Sequence, residues 1–301
     1  MKVLVTGGAG FIGSHLVERL VKDGHEVRVI DRVVEPRNLI GVRSEIDYVN
    51  ADIVTNMQPS VMEGIEVVFH LAANCSVSDS INNPVSTHYN NVTGTFEILN
   101  LAKASGVKQV VFSSSSAVYG DNDYGFEQEV NSYYGMSKKI GELTSKQFKE
   151  DHGLNTVSLR YFNVYGPRQN PQYSAVIPSF IQSFMNGKIP KIHGDGEQTR
   201  SFIHVSDVVE ANIRAMDYNS TLSFDIGTDE KTTIKELYYN IASIFGVKEP
   251  PVYVERREGD IYHSTPDTSG AKTLIDFKSK VTLEEGLPNM AVKPLALEMG
   301  I

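Results

Sequence analysis

Short apolar runs alternate with amphipathic stretches along the first half of the chain. Val3-Leu4-Val5 predicts a buried strand, residues 14–22 carry helical apolar spacing, and Glu26-Val27-Arg28-Val29-Ile30 predicts a second strand. Residues 67–72 and 110–114 read as further buried strands. Between them, residues 91–105 form a helical pattern closed by Gly106. Residues 134–143 predict another helix and residues 156–161 another strand. Strands separated by helices need crossover connections, so the pattern predicts an α/β fold with a doubly wound parallel sheet covered on both faces. Past Gly166-Pro167 the rhythm changes, and prolines at 167, 171, 178, 190, 250 and 251 punctuate shorter elements. This predicts a large unit over residues 1–165, with return segments near 203–228. A smaller, discontinuous mixed α/β lobe then occupies 166–301.

The link between the first strand and the first helix, Thr6-Gly7-Gly8-Ala9-Gly10-Phe11-Ile12-Gly13, carries chemistry. Gly7 or Gly8 permits a sharp turn, Gly10 lets backbone approach a pyrophosphate, and Gly13 lets helix and strand pack closely. The second strand ends in Asp31, about 20 residues beyond the glycines, where a carboxylate hydrogen-bonds the adenosine ribose and repels a 2′-phosphate. The unit is therefore expected to be Rossmann-like and to hold NAD. Arg32 follows at once and would tolerate NADP.

Composition narrows the class. The chain has 301 residues, a formal charge of −9 and no basic run, which argues against a nucleic-acid surface. One cysteine, Cys75, rules out an internal disulfide and fits a reducing compartment. No apolar run reaches about 18 residues and Met1 opens directly on a strand, so a cytoplasmic protein without a membrane span is expected. No His, Cys, Asp and Glu spacing suggests a metal.

Tyr134 and Lys138 stand at i and i+4 on the predicted helix, so their side chains share a face. A free phenol with a pKa of about 10 is a poor base at neutral pH. A neighbouring ammonium and a cationic nicotinamide favour its phenolate. Tyr133 has no lysine four residues on. Four serines, Ser113 to Ser116, leave the preceding strand at its carboxyl end, where doubly wound sheets bind ligands. One of them can donate to a substrate oxygen, and composition does not choose which.

Together these motifs resemble those of extended short-chain dehydrogenases/reductases, in particular the NAD-dependent sugar-nucleotide epimerase/dehydratase family. The likeness runs from Met1 to about Gly286 and adds His70-Leu71-Ala72-Ala73, Asn91-Val92-Thr93-Gly94-Thr95, Leu159-Arg160-Tyr161-Phe162-Asn163, residues 194–205, and Arg256-Arg257-Glu258-Gly259-Asp260. Registered on Val118-Tyr119-Gly120, the resemblance places the catalytic hydroxyl on Ser115. Dehydratases of the family carry Asp then Glu at the next two positions, and decarboxylases keep the Glu; this chain has Ser116 and Ala117. Elimination then lacks its acid and base. The pattern is most like the members that invert C4 of UDP-hexoses, and it implies interconversion of UDP-glucose and UDP-galactose through a 4-keto sugar. A UDP-glucuronate epimerase or an NAD(P)H-dependent reductase would share most of these motifs.

The resemblance also assigns the site. Catalysis falls to Ser115, Tyr134 and Lys138. Cofactor contacts fall to Gly7, Gly10, Phe11, Ile12, Gly13, Asp31, Asp52, Ile53, Leu71, Ala72, Ala73, Asn91, Ser113, Tyr134, Lys138 and Tyr161. Substrate contacts fall to Ser115, Ser116, Asn163, Val176, Ile177, Arg200, Arg257, Asp260 and Ser264. Arg200 and Arg257 suit a diphosphate, since guanidinium pairs bidentately with phosphate oxygens. Phe180 is expected to offer an aromatic face to uracil. His70 and His204 are expected to be structural. Ser264 replaces a tyrosine common in strict glucose/galactose epimerases, which implies room for N-acetylhexosamines. Two features depart from the family: the loop 121–132 is short, with Ser115 and Tyr134 only 19 positions apart, and residues 287–301 match little. A homodimer is implied through the helices around residues 91–103 and 134–148, with Met136, Leu143 and Phe148 compatible with that contact.

Overall fold

The computed structural model describes residues 1–120, 130–170, 175–256 and 262–291. The first half runs β1 (Lys2–Thr6), α1 (Phe11–Lys22), β2 (Glu26–Asp31), β3 (Ile46–Asn50), β4 (Val67–His70), α2 (Val77–Asn82), α3 (Pro84–His88), a π-helical turn (Tyr89–Thr93), α4 (Gly94–Ala104), β5 (Gln109–Ser115), a 3₁₀ turn (Ser116–Tyr119), α5 (Tyr133–His152) and β6 (Asn155–Tyr161). The second half runs β7 (Asn163–Tyr165), α6 (Val176–Met185), β8 (Lys191–His193), β9 (Thr199–Arg200), β10 (Phe202–His204), α7 (Val205–Ala215), β11 (Leu222–Ile226), β12 (Thr232–Thr233), α8 (Ile234–Ile244), β13 (Val252–Val254), β14 (His263–Ser264) and α9 (Ser269–Leu274), before two short helical turns.

Seven parallel strands form the central sheet in the order β11-β6-β5-β4-β1-β2-β3. The chain winds outward from β1 in one direction and from β4 in the other, which leaves a crevice at their carboxyl ends. The predicted doubly wound parallel sheet is therefore present. Side chains alternate across the sheet: Val3, Val5, Val27, Val29 and Phe69 join one buried cluster with Leu16, Val17 and Leu20 of α1. Leu4, Ile30, Val68 and Val110 join the opposite cluster with Ile98 and Leu99 of α4 and Phe148 of α5. A third cluster, centred on Phe180, Phe184, Leu237 and Tyr238, packs α6 against α8. Ala271, Ile275 and Phe277, late in the chain, pack into the first cluster.

Three boundaries differ from the sequence reading. Helix α1 begins at Phe11 rather than Ser14, because the glycine turn feeds directly into the helix. Strand β4 ends at His70, so Leu71 and Ala72 leave the sheet. The helical run expected over 91–105 opens with the π turn before α4. There the Asn91 carbonyl accepts from Thr95 Oγ1 at 2.5 Å while its amide reaches outside the helix.

Gly13 allows α1 to seat on β1. A Cβ built there would lie 2.2 Å from the Gly7 carbonyl oxygen and 2.8 Å from the Gly8 Cα, both backbone atoms. Gly13→Ala is expected to lower the urea midpoint by the equivalent of at least 1–3 kcal/mol, a typical cost of overpacking (about that size). Gly41→Ala, with nothing within 4 Å, should stay within about 0.5 kcal/mol. Equal midpoints for the two variants would refute the packing argument.

Candidate active site

The crevice between β1 and β4 opens into a cavity of about 500 Å³. One end is walled by Gly7, Gly10, Phe11, Ile12 and Gly13, with Asp31, Asp52 and Ile53 beside them; the other by Ser113, Ser115, Tyr134, Lys138 and Tyr161. Gly7 has a φ of +70°, and a Cβ on it would stand 2.8 Å from the Ala72 amide nitrogen, so glycine is required where the turn meets the loop after β4. Gly10 caps α1 without a side-chain bond, and the first helical turn holds no acid. Its N–H groups and dipole end are therefore free to meet an anion. Asp31 is fixed at the rim by the amides of Ala9 (3.0 Å) and Val33 (3.1 Å). Asp52 accepts from the Val54 amide at 2.9 Å, which holds Asp52 and Ile53 in a turn at the same end. This donor set fits a dinucleotide: backbone N–H groups for its diphosphate, a carboxylate for a ribose.

At the opposite end, Ser132 caps α5 by accepting from the Gly135 amide, and the helix carries Tyr134 and Lys138 on one face. The Ser115 hydroxyl accepts from the Ala117 amide at 3.2 Å, lines the cavity with Tyr134 and favours its phenolate. Two glycines let α5 approach: a Cβ on Gly135 would meet the Ala117 carbonyl oxygen at 2.4 Å, and one on Gly141 the Phe112 ring at 2.4 Å. Lys138 Nζ donates to the Ser113 carbonyl at 2.8 Å and lies 5.8 Å from the Tyr134 ring centroid. Burial pushes the Lys138 ammonium down to about 8, opposed by the Cys75 thiol. Burial pushes the Tyr134 phenol up, and Cys75 and Tyr161 add to this; the Ser115 hydrogen bond pulls it back.

Tyr161 completes this end. Its hydroxyl lies 3.0 Å from Ser113 Oγ and donates to Asn212 Oδ1 at 3.0 Å, and burial raises it to about 12.

Behind the cavity, His70 is fully buried between two threonines. The Ala72 amide donates to Thr6 Oγ1, which lies 2.8 Å from His70 Nδ1, while Nε2 lies 3.0 Å from Thr95 Oγ1. Thr95 already donates to the Asn91 carbonyl, so Nε2 carries the proton and Nδ1 accepts from Thr6. Burial, with a contribution from Lys138, depresses His70 to about 3. The ring is therefore neutral and structural. His204 is also structural, capping α7 by accepting from the Ser206 amide.

A second cavity of about 390 Å³ adjoins the first, with Gln169 and Ala175 lining both. Asn163, Val176, Ile177 and Arg200 come together there, as the sequence reading placed them, alongside Lys191, His193 and Gln198. Arg200 and Lys191 give this pocket its positive charge. Phe180 lines it too, but its ring is buried against Tyr238 in the α6–α8 core.

Other assignments are placed differently. Asn91 lies behind the wall, with its side chain bonded to the Asn74 amide and carbonyl and to Ser137 Oγ. It positions the loop after β4 from there. Ser116 opens the 3₁₀ turn, and Ser264 pairs with Arg200 across β14 and β9; neither lines these two cavities. Arg257 and Asp260 lie outside the described residues. The sequence reading missed Asn74, Cys75, Asn90 and Gln169, which line the first cavity. Asn74 and Cys75 directly follow the His70-Leu71-Ala72-Ala73 motif, and Gln169 follows Gly166-Pro167, so proximity to those motifs was the available signal.

The sequence model of the NAD dependent epimerase/dehydratase family matches residues 3–227. The UDP-glucose 4-epimerase of Thermotoga maritima, solved with UDP-glucose, is 36% identical with a TM-score of 0.91 over 97% of each chain. The UDP-N-acetylglucosamine 4-epimerase of Methanobrevibacter ruminantium, solved with UDP-N-acetylmuramic acid, is also 36% identical with a TM-score of 0.91 over 96% of each chain. The UDP-glucuronic acid 4-epimerase of Bacillus cereus, solved with UDP-glucuronic acid and NAD, is 29% identical with a TM-score of 0.89 over 97% of this chain and 98% of that one. A Rossmann-like sheet whose crevice joins a Ser-Tyr-Lys set defines an NAD-dependent short-chain dehydrogenase/reductase of the extended type. The chain belongs to the NAD-dependent epimerase/dehydratase family, among its UDP-sugar enzymes.

The neutral His70 has a consequence for stability. Its folded pKa lies below its unfolded value, so only the unfolded chain takes up this proton between about pH 6.5 and pH 3. Stability from this group is complete above pH 6.5 and declines by at most about 1.4 kcal/mol per pH unit on acidification. Replacing His70 with Asn is expected to lower stability at pH 7 and to flatten the dependence between pH 6.5 and 4 in urea titrations. Parallel dependences for the two proteins would exclude His70 as the cause.

Proposed function

We propose that the chain is an NAD-dependent UDP-hexose 4-epimerase that interconverts UDP-glucose and UDP-galactose, and that Ser115, Tyr134 and Lys138 carry the reaction. The observation that supports this most is what surrounds Tyr134. The described carboxylates lining the first cavity are Asp31 and Asp52, both at the glycine-turn end. The positions after Ser115 hold Ser116 and Ala117 in a tight turn. No described carboxylate stands ready to protonate a leaving hydroxyl or abstract a C5 proton, so reversible oxidation at C4 is the chemistry the site supports.

In this mechanism Tyr134, as phenolate, takes the proton of the sugar 4-hydroxyl while Ser115 hydrogen-bonds the same oxygen. Bound NAD, which the glycine turn and Asp31 would hold, would supply a reversible hydride acceptor for C4 and a positive charge that favours the phenolate. Lys138 contributes an ammonium to the nicotinamide ribose. Asn163 and Arg200 hold the diphosphate in the second cavity, and Val176 and Ile177 border the base. Firm binding there leaves the sugar free to rotate and present its other face.

A homodimer is part of this reading. Phe96, Met136 and Leu143 are exposed on α4 and α5. Phe148 is a correction to the expected contact, since it is buried edge-on to Phe96 at 5.6 Å. Leu143→Glu is expected to convert a dimer to a monomer in sedimentation velocity; a wild-type protein that sediments as a monomer would reject the dimer.

The decisive assay is incubation of purified protein with UDP-galactose, without added NAD, followed by product chromatography. UDP-glucose without net NADH is the expected result. Net NADH formed only once NAD is supplied would instead indicate a reductase that releases its cofactor, and turnover of UDP-glucuronate alone a uronic-acid epimerase. Ser264→Tyr is expected to lower turnover of UDP-N-acetylglucosamine more than that of UDP-glucose, and equal effects would reject a specificity role for Ser264.

A further inference from the structure

Behind the catalytic turn lies a buried ion cluster that the mechanism above leaves unused. Glu142 sits on α5 at i+8 from Tyr134 and i+4 from Lys138, hence on the same face. Its carboxylate accepts from Ser114 Oγ at 2.5 Å and pairs bidentately with Arg160 of β6, Nε at 2.8 Å and Nη2 at 2.7 Å. Arg160 Nη1 donates to the Tyr119 hydroxyl at 2.7 Å, and that hydroxyl donates to Asp225 Oδ1 of β11 at 2.6 Å. Asp225 Oδ2 accepts from the Asp267 amide at 3.0 Å. Glu142 and Asp225 are almost wholly buried, with side-chain exposures of 7% and 4%.

Ser114 and Tyr119 bracket the segment that carries Ser115, Ser116 and Ala117. Both are tied to the Glu142–Arg160 pair, and Glu142 rides on the helix that carries Tyr134. We propose that Glu142, Arg160 and Tyr119 act as positioning residues that fix the separation of Ser115 and Tyr134. A buried ion pair is weak evidence for stability, because its desolvation cost offsets much of its attraction. Its geometric effect is clearer: a bidentate guanidinium–carboxylate contact admits few arrangements. The inference rests on the proposed roles of Ser115 and Tyr134.

Ser114→Ala removes one tether and leaves the Glu142–Arg160 pair intact; Tyr119→Phe removes the other and also takes a hydrogen bond from Asp225, which keeps the Asp267 amide and the Arg160 guanidinium 4.0 Å away. With NAD-loaded enzyme and UDP-galactose, each is expected to lower kcat about ten- to a hundredfold, the scale of a sub-ångström to 1 Å misplacement. KM, bound NAD per chain and UDP affinity should stay within about twofold of wild type, since binding determinants are untouched. The rise of kcat with pH should also move to higher pH. A weaker Ser115 hydrogen bond leaves the Tyr134 phenolate less stabilised among the groups that face it, namely Cys75, Lys138 and Tyr161. Wild-type kcat and pH profile in both variants would overturn the proposal. So would losses of kcat matched by losses of NAD and UDP binding, which would mark general loosening. Tyr134→Phe, run in parallel, separates this inference from the one it rests on: if that variant still turns over, the assignment of Tyr134 falls and this proposal with it.

Discussion

The seating of one helix on one strand governs the site. Tyr134 and Ser115 come from α5 and β5, and they meet because α5 lies close enough for Gly135 to touch the turn after β5 and Gly141 to touch Phe112. Any side chain at either glycine would lift the helix. Polar contacts then add direction to that approach: Ser114 to Glu142 across the contact, and Lys138 to the Ser113 carbonyl. The dinucleotide end obeys the same rule of close backbone approach, with Gly13 against Gly7 and Gly7 against Ala72. Small residues at helix–strand contacts therefore set the dimensions of the cavity at both ends.

Much of this was legible in the sequence because it is local. The strand–glycine–helix unit, the Asp31 position and the i, i+4 pair of Tyr134 and Lys138 each follow from short-range spacing. What was not legible depends on contacts distant in sequence. Strand β3 is an edge strand with one buried residue, Ile46, so its alternation is faint. The π turn at Tyr89–Thr93 preserves helical spacing on either side and leaves no mark on the apolar pattern. Asn91, expected to contact the cofactor, also braces the loop at Asn74, a contact its position in the sequence does not announce. Glu142 and Arg160, 18 positions apart, carry no spacing signal that pairs them and meet only when α5 is brought against β6.

The two cavities differ in the charge they present. The first is walled largely by backbone and aliphatic side chains, with Lys138 at its catalytic end; the second carries Arg200 and Lys191. A nucleotide diphosphate gripped in the second cavity would leave a sugar in the first with few charged contacts. That asymmetry suits a reaction whose intermediate must turn over within its own site, since affinity then resides away from the atoms that move.

Cys75 is the only cysteine in the chain, and it lines the first cavity beside Tyr134. The residue is solvent-accessible, so reagents can reach it, and its thiol is pushed above the usual range by desolvation, with Lys138 pulling the other way. Covalent damage or labelling by thiol-directed reagents therefore has one address, and it is the first cavity. A probe attached there would report ligand entry directly, with no engineered cysteine and no background from a second thiol.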